Sequence, residues 1–269
     1  MVGKGLRQHG IDRSCCKLSF AFFPVFTTAL ALSSHTFAQP VYDEAKLRVA
    51  EARGREIFLK DMVAARATEV VGIPKLEASA TAGWITVGSD AEWQVRFVGP
   101  CAAGTCSYFD VDFDLRNEKE ELHEHAEPVV LPAEHLAQWK AIEQAYGSEL
   151  MVCKPAINTV VLNADDGSFL VYMLVATTDP DLLVLAGHHR LTVSADGEKL
   201  EKIEALSDGC LEVERDDSEA IGIVHLSNNE PTEAHVFTSL LYQKQLYVRT
   251  EAGIFSVEGP QINFMHAGQ

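Results

Sequence analysis

The first forty residues constrain the fold most, because they indicate whether the cysteines meet an oxidising or a reducing compartment. The chain begins with basic residues, and an apolar run of about 15 residues follows, which is shorter than the roughly 20 that a membrane-spanning helix needs. Thr36-Phe37-Ala38 then fits a small-residue cleavage site. We therefore predict a signal peptide over residues 1–38, with cleavage after Ala38, and a mature chain that is periplasmic or secreted.

Cysteine spacing is the next constraint. Four cysteines remain after cleavage, and an even number in an exported chain indicates disulfides. They allow three pairings, of which the spacing favours Cys101–Cys106 and Cys153–Cys210, since neighbours along the chain close a loop most easily. A zinc site would need two tighter pairs, and a redox pair would need C-x-x-C. We therefore expect disulfides that stabilise the fold.

Charge limits the partners. The formal net charge is −17, and a surface this negative repels phosphate backbones and anionic lipid headgroups. The sequence after residue 38 contains no second long apolar segment. We expect no nucleic-acid partner and no stable membrane insertion after signal cleavage, while the identity of any partner stays unknown.

Two segments have helical spacing. Residues 42–72 place apolar side chains three or four positions apart, with Asp43 as a cap and Gly72 as a stop signal. Gly54 lies in the middle and indicates a kink or a close packing contact. The second helix is "PAEHLAQWKAIEQAYG". Its predicted buried stripe consists of Leu136, Trp139, Ile142 and Tyr146.

Most of the remaining sequence has strand spacing. "GWITVGSD" and "EWQVRFVG" predict two strands around a turn at Asp90, and "SYFDVDFDL" alternates phenylalanine or valine with aspartate, which predicts an acidic outer face. Asp166-Gly167 and Asp196-Gly197 predict hairpin turns. The closing run of predicted strands is "IGIVHL", "AHVFTSLLYQ", "QLYVRT" and "GIFSVEG".

These elements predict an α+β protein. It has antiparallel sheets made from hairpins and meanders, a long N-terminal helix and a second mid-chain helix, with the helices on one face. We predict one domain over residues 39–269. The order of helix and then meander occurs twice, which is compatible with two related halves, 39–116 and 132–269, joined by a solvated acidic connector at 117–131.

Candidate catalytic residues lie in the strand-rich C-terminal half of the sequence. The sequence has no G-x-S-x-G elbow, no H-E-x-x-H, no P-loop and no glycine-rich dinucleotide turn. In "GHHRLTV", His188 and Arg190 share one face of a predicted strand, and Glu233 and His235 share one face of "PTEAHVF". If the two segments are neighbours, these four side chains converge for acid–base work or anion binding. The alternative is that the buried histidines hydrogen-bond to the backbone and hold the hairpins together.

Candidate metal ligands lie in the acidic segment "HEHAEPVVLPAEH". His123 and His125 project to the same side of an extended chain, and His135 could add a third imidazole from the start of the next helix. Three imidazoles could bind zinc or copper. The alternative is a solvated linker with incidental histidines, and we expect no cofactor.

Several blocks resemble known exported proteins. "FLVYMLVATTDPDLLVLAGHHRLTVSADG", "LSDGCLEV" and "VHLSNNEPTEAHVFTSLLYQKQLYVRTEAGIFSVEGPQI" resemble the C-terminal half of a group of exported proteins of Gram-negative bacteria that has no assigned activity, and "GREIFLKDMVAARATEV" resembles its N-terminal helix. The resemblance implies that Cys153, Cys210, "GHHR" and "PTEAHVF" are framework features. Cys101 and Cys106 lie outside it.

Three functions are consistent with the sequence. The leading hypothesis is an exported, non-catalytic envelope or binding protein, which predicts no deep polar cleft. The second is a hydrolase that uses Glu233, His235 and His188 as acid–base residues, with Arg190 beside them. The third is a protein that binds metal through the histidine-rich acidic loop.

Overall fold

The helices account for about a quarter of the described chain. The computed structural model describes residues 42–150, 153 and 156–267, so the predicted signal peptide lies outside it. The helices in this part are α1 (Glu44–Val71), α2 (Ile73–Ala78), α3 (Ala133–Tyr146) and α4 (Glu233–Tyr242). Among the described helices, none is both long enough and apolar enough to cross a membrane.

Strands make up most of the rest. The strands of the described residues are β1 (Gly83–Ser89), β2 (Glu92–Cys101), β3 (Gly104–Asp114), β4 (Lys119–Val130), β5 (Ile157–Asn163), β6 (Phe169–Val175), β7 (Leu182–Val184), β8 (His189–Val193), β9 (Leu200–Ala205), β10 (Glu212–Glu214), β11 (Ala220–Val224), β12 (Gln245–Arg249), β13 (Ile254–Glu258) and β14 (Gln261–His266).

Three four-stranded sheets organise these strands. The N-terminal sheet has the order β1-β2-β3-β4, the central sheet β5-β6-β8-β9 and the C-terminal sheet β11-β12-β13-β14, while β7 pairs with β10. All pairs are antiparallel except β11 and β12. A parallel pair needs a crossover, which here contains α4. The predicted α+β class, with a long N-terminal helix and a mid-chain helix, is confirmed.

Helix α1 contacts all three sheets. Its first turns place Leu47 against the core of the C-terminal sheet. Its middle places Ile57 on the central sheet, and its last turns place Val63 and Ala67 on the N-terminal sheet. Asp43 caps the helix as predicted, because its Oδ1 accepts the backbone N–H of Ala45 at 2.8 Å. One helix therefore joins three separate apolar clusters.

Helices cover the central sheet on both faces, which corrects the expectation of helices on one face. Every residue of β6 is buried. Val171 and its alternate neighbours pack with Trp139 and Ile142 of α3, whereas Leu170 and Tyr172 face the side of α1 and α4. Strands that are buried on both faces lose the alternation of apolar and polar residues. This explains the continuous apolar run of β6.

Local signals in the sequence are largely confirmed. Asp90 has φ of +56° in the turn between β1 and β2. The Phe109, Val111 and Phe113 side chains enter one core cluster, as the alternation predicts. Both favoured disulfides are formed, with Cα–Cα distances of 5.9 Å for Cys101–Cys106 and 5.7 Å for Cys153–Cys210. Of the stripe predicted for α3, Trp139 and Ile142 are buried, and Tyr146 is exposed.

Two predicted segments have a different structure. The acidic connector is strand β4, which pairs with β3 along most of its length, and its glutamates lie on an exposed edge strand. The prediction that "AHVFTSLLYQ" is a strand is wrong, because it forms α4. The run is apolar and rich in β-branched and aromatic residues, so spacing alone could not separate a strand from a buried helix.

Strand β14 was not predicted, and whether the two halves are related stays a prediction.

Gly54 marks a close packing contact, which is one of its two predicted roles. It lies where α1 crosses α4. A Cβ atom at this position would be 2.5 Å from the Val236 Cβ and 2.7 Å from the Glu233 carbonyl oxygen. Such a clash involves backbone as well as side chain, so the two helices can approach this closely only with glycine here.

Replacing Gly54 with alanine should lower the free energy of unfolding by about 2 kcal/mol or more, because the overpacked crossing must open. At a helix position without such a contact, replacing glycine with alanine stabilises the protein by about 1 kcal/mol. The sign of the change in the free energy of unfolding therefore shows whether the close contact exists. Urea unfolding measures the change. Gly222→Ala is the control, because an added Cβ there meets no atom within 4 Å, and we expect it to be neutral. A stabilised Gly54→Ala variant would contradict the close crossing.

Candidate functional site

A row of polar side chains crosses the central sheet beneath α4. Tyr172 on β6 is the cross-strand partner of Arg190 on β8, which is the partner of Glu204 on β9. The Arg190 Nη2 donates to Glu204 Oε2 at 3.0 Å. Above the row, the first residue of α4 is Glu233, whose Oε1 accepts hydrogen bonds from Arg190 Nη1 and, at 2.8 Å, from the Tyr172 hydroxyl. A buried ion pair therefore fastens α4 to the sheet.

Burial and neighbouring charges together set the pKa values in this row. The Glu233 side chain is 6% exposed and that of Arg190 is 17% exposed. Burial alone would lower the pKa of Arg190, but the carboxylates of Glu233 and Glu204 raise it overall. Burial raises the pKa of the Tyr172 hydroxyl, and the Glu233 charge adds to the rise. Arg190 is therefore a permanent cation that pairs with both carboxylates.

His235 caps the helix that carries Glu233. The ring Nδ1 accepts the backbone N–H of Thr232 at 3.0 Å, which is the contact that Glu or Gln makes in a capping box. The Thr232 hydroxyl donates to the Leu206 carbonyl at 2.8 Å, so the same cap holds the loop after β9. His235 is 1% exposed, and burial lowers its pKa to about 3.

His188 holds the same loop from the sheet side. Its Nδ1 accepts the Val175 N–H at 3.1 Å, and its carbonyl accepts the Leu206 N–H at 2.9 Å. Burial lowers the pKa of His188 to about 4. Because Nδ1 accepts a hydrogen bond in both rings, the single N–H proton of each neutral imidazole is on Nε2. Neither His188 Nε2 nor His235 Nε2 has a hydrogen-bond partner among the described residues.

A cavity of about 850 Å³ lies between α1, the start of α4 and the loop after β9. We call it the α1–α4 cavity. Its lining residues are Ala45, Lys46, Val49, Ala50, Arg53, Arg190, Glu204, Ala205, Leu206, Ser207, Asp208, Gly209, Ser227, Asn228, Glu230, Pro231, Thr232 and Glu233. Its lining combines charged and apolar residues, whereas the non-catalytic hypothesis predicted no deep polar cleft. Its volume is in the range of small-molecule sites.

The predicted catalytic residues are brought together in part. Arg190 and Glu233 are in contact and line the α1–α4 cavity. His188 and His235 lie behind it, where each bonds to backbone, and no hydrogen bond joins either ring to Glu233 in the described part of the chain. The arrangement matches the alternative in which the histidines hold the framework. The hydrolase hypothesis stays a prediction without the contacts that it requires.

The predicted metal ligands do not form a common site among the residues described. His123 and His125 share one side of β4, as predicted, but each faces a different aspartate: His123 Nε2 lies 3.0 Å from Asp112 Oδ2, and His125 Nε2 lies 3.0 Å from Asp110 Oδ2. His135 Nδ1 instead accepts from Arg96 Nη1 at 3.0 Å. Within residues 42–267 as described, no group of three possible ligands could hold a metal ion.

The aspartate beside His125 belongs to a buried network that the sequence did not reveal. Arg96 Nε and Nη2 donate to the two oxygens of Asp110 at 2.9 and 2.8 Å, and the Ser107 hydroxyl donates to Oδ1 at 2.5 Å. Burial opposes ionisation, but the hydrogen bonds from Arg96, Ser107 and His125 lower the pKa of Asp110 overall. Asp110 is therefore part of the core and not of a solvated acidic face.

Sequence reasoning found only Arg190 and Glu233 among the charged residues of the cavity and missed, among others, Arg53, Glu204 and Asp208. Arg53 comes from α1, Asp208 from the loop after β9, and Glu204 from β9 itself. Two local signals could have found them. Arg53 precedes Gly54, whose close contact brings α1 against α4, and Asp208 lies two residues before the disulfide-bonded Cys210.

The buried histidines predict a loss of stability in acid. Their pKa values in the folded state, about 4 for His188 and about 3 for His235, lie below the ordinary 6.5, so the unfolded chain binds protons first as the pH falls. The free energy of unfolding should fall below pH 6.5 by up to about 1.4 kcal/mol per pH unit for each histidine.

Replacing His235 with glutamine should keep the cap and remove one titrating group. We expect a shallower fall of the free energy of unfolding between pH 6.5 and about 4, measured by urea unfolding at several pH values. His266→Gln, which changes an exposed histidine, is the control and should keep the wild-type slope. An unchanged slope in His235→Gln would mean that this ring does not resist protonation in the folded state.

Comparisons with known proteins add little to this geometry. No protein-family model matches the chain, and no curated protein matches it. Among solved structures, the chain is similar to the Bacillus megaterium YpeB C-terminal domain, with 14% sequence identity, coverage of 63% of this chain and 69% of that chain, and a TM-score of 0.16. A TM-score this low supports no argument about fold or function, so the α1–α4 cavity must be interpreted from its own residues.

Proposed function

We propose that the protein is an exported, non-catalytic binding protein and that the α1–α4 cavity takes a small polar ligand. The observation that carries the proposal is Arg53. Arg53 lines the cavity from α1, and its positive charge acts on the Tyr172 hydroxyl, where it works to lower the pKa. No hydrogen bond or ion pair of Arg53 is found among the described residues. The cavity contains a guanidinium that is available to a ligand, and guanidinium groups recognise carboxylates and phosphates by paired hydrogen bonds.

The fixed surroundings of Arg53 support binding. The floor of the cavity is the Arg190–Glu233–Glu204 ion network, whose side chains already hold one another in place. The loop wall is held by the Thr232 and His188 contacts to Leu206. A preorganised site loses little conformational entropy when a ligand binds.

The protonation state of the histidines supports the non-catalytic part of the proposal. A general base must lie within hydrogen-bond reach of its substrate. His188 and His235 do not line the cavity, and their depressed pKa values follow from burial. Of the groups that do line it, Glu233 is held by Arg190 and Tyr172.

Export has separate support. The predicted signal peptide and the resemblance to exported proteins of Gram-negative bacteria indicate a periplasmic or secreted chain. The two disulfides are consistent with an oxidising compartment.

The test begins with the full-length chain expressed in a Gram-negative host. The intact mass of the periplasmic protein should correspond to a chain that begins at Gln39 with no free thiol. A library of amino acids, peptides, sugars, carboxylates and phosphates is then screened by thermal unfolding. We expect one compound class to raise the midpoint temperature of unfolding and to be recovered chemically unchanged.

Arg53→Gln should weaken binding of that class about tenfold or more, since a charged hydrogen bond is lost. Arg55→Gln is the matched control, because it removes the same charge from an exposed position on the same helix. Equal affinity of wild type and Arg53→Gln, or the absence of any ligand, would refute the cavity as a binding site. Recovery of a hydrolysed ligand would favour the enzyme hypothesis.

A further inference from the structure

The charges of the α1–α4 cavity mostly cancel within the protein. Arg190 neutralises Glu233 and shares Glu204 with Lys202, whose Nζ donates to Glu204 Oε1 at 2.8 Å. Glu230 lies 3.8 Å from the Lys46 Nζ and accepts the Asp43 backbone N–H at 2.8 Å. These groups therefore need no counter-charge from a ligand.

Asp208 is different, because its partners are neutral. Its Oδ2 accepts the Leu226 backbone N–H at 2.7 Å and lies 3.8 Å from His225 Nδ1. Hydrogen bonds from Ser227 also act on this carboxylate and help to lower the pKa of Asp208. His225 is 0% exposed, and its Nε2 lies 3.0 Å from Asn228 Nδ2, which can only donate. The ring therefore accepts a hydrogen bond at Nε2 and is neutral. No cation pairs with Asp208 among the described residues, although its side chain is 41% exposed to the cavity and solvent.

Two opposite charges therefore remain in one cavity. Arg53 lines the cavity from α1, and Asp208 lines it from the loop after β9, which the Cys153–Cys210 disulfide anchors at its end. Backbone contacts fix that wall as well, since the Gly187 N–H donates to the Ser207 hydroxyl at 2.8 Å. The lining also includes the apolar residues Val49, Ala50 and Leu206.

We infer that the ligand of the α1–α4 cavity is a short peptide with free termini, whose carboxylate binds Arg53 and whose ammonium group binds Asp208. This inference rests on the proposed function and names its ligand class. A cavity of about 850 Å³ is in the range that takes a drug-sized molecule, which favours a peptide of two or three residues over a single amino acid. The apolar lining suits small uncharged side chains.

The experiment uses the mature, disulfide-bonded protein and three tripeptide libraries of equal composition. One library is unmodified, one is N-acetylated and one is C-amidated. Equilibrium dialysis followed by mass spectrometry measures retention. We expect unmodified peptides to bind about tenfold or more tightly than either capped library, because each cap removes one charged contact.

Variants that remove the charge of Arg53 or of Asp208 show which of the two residues binds each peptide terminus. Arg53→Gln should weaken the unmodified and N-acetylated peptides but leave the amidated peptides unchanged. Asp208→Asn keeps an acceptor for the Leu226 N–H and should weaken only the peptides that have a free amino group. Asp217→Asn, at an exposed position outside the cavity, is the control and should bind like wild type.

The outcomes separate the two proposals. If sugars, phosphates or carboxylates that lack an ammonium group bind in an Arg53-dependent manner and peptides do not, the binding function stands and the peptide assignment is overturned. If capped and unmodified peptides bind equally, the assignment of the peptide carboxylate to Arg53 and of the ammonium group to Asp208 is also overturned. If nothing binds, or if binding ignores Arg53, both proposals are overturned.

Discussion

The buried ion pair between Arg190 and Glu233 is the interaction on which the rest of the structure depends. It joins the middle strand pair of the central sheet to the first turn of α4, and α4 in turn packs against α1 at Gly54. A charged pair at such a depth is costly to desolvate, and it is retained only when both partners are satisfied. Tyr172 and Glu204 supply the additional hydrogen bonds. The floor of the α1–α4 cavity is therefore a consequence of how α4 is attached.

The same packing determines which side chains can contact a ligand in the α1–α4 cavity. His188 and His235 have the chemistry of acid–base residues, but the fold uses one ring nitrogen of each to bond to backbone and buries the other. What is left facing the cavity is a set of charges that the protein itself compensates, together with Arg53 and Asp208, which it does not. On this basis we propose a receptor for a ligand that carries both charges, and not a catalytic centre.

Local patterns predicted the parts of the fold that local physics determines. The cap of α1 and the turn at Asp90 follow from residues near them in the chain, and the disulfides follow from spacing in an oxidising compartment. Helix α4 could not be predicted in this way, because a buried apolar run of ten residues has no distinguishing period. The contact of "GHHR" with "PTEAHVF" was anticipated, but Arg53 and Asp208 are far apart in sequence and line one cavity only through tertiary packing. Arg53 is next to the crossing at Gly54, which the sequence signals only as a glycine in the middle of a helix.

The most direct test of this account is a double-mutant cycle on the pair, measured by urea unfolding at pH 7. Arg190→Met leaves the Glu233 carboxylate buried without its cation and should cost about 3 to 5 kcal/mol. Glu233→Gln should destabilise the wild-type protein but stabilise the Arg190→Met variant, because there it removes the uncompensated charge. This reversal of sign corresponds to a coupling energy of about 2 kcal/mol or more. If Glu233→Gln has the same effect in both backgrounds, the ion pair does not hold α4 on the central sheet.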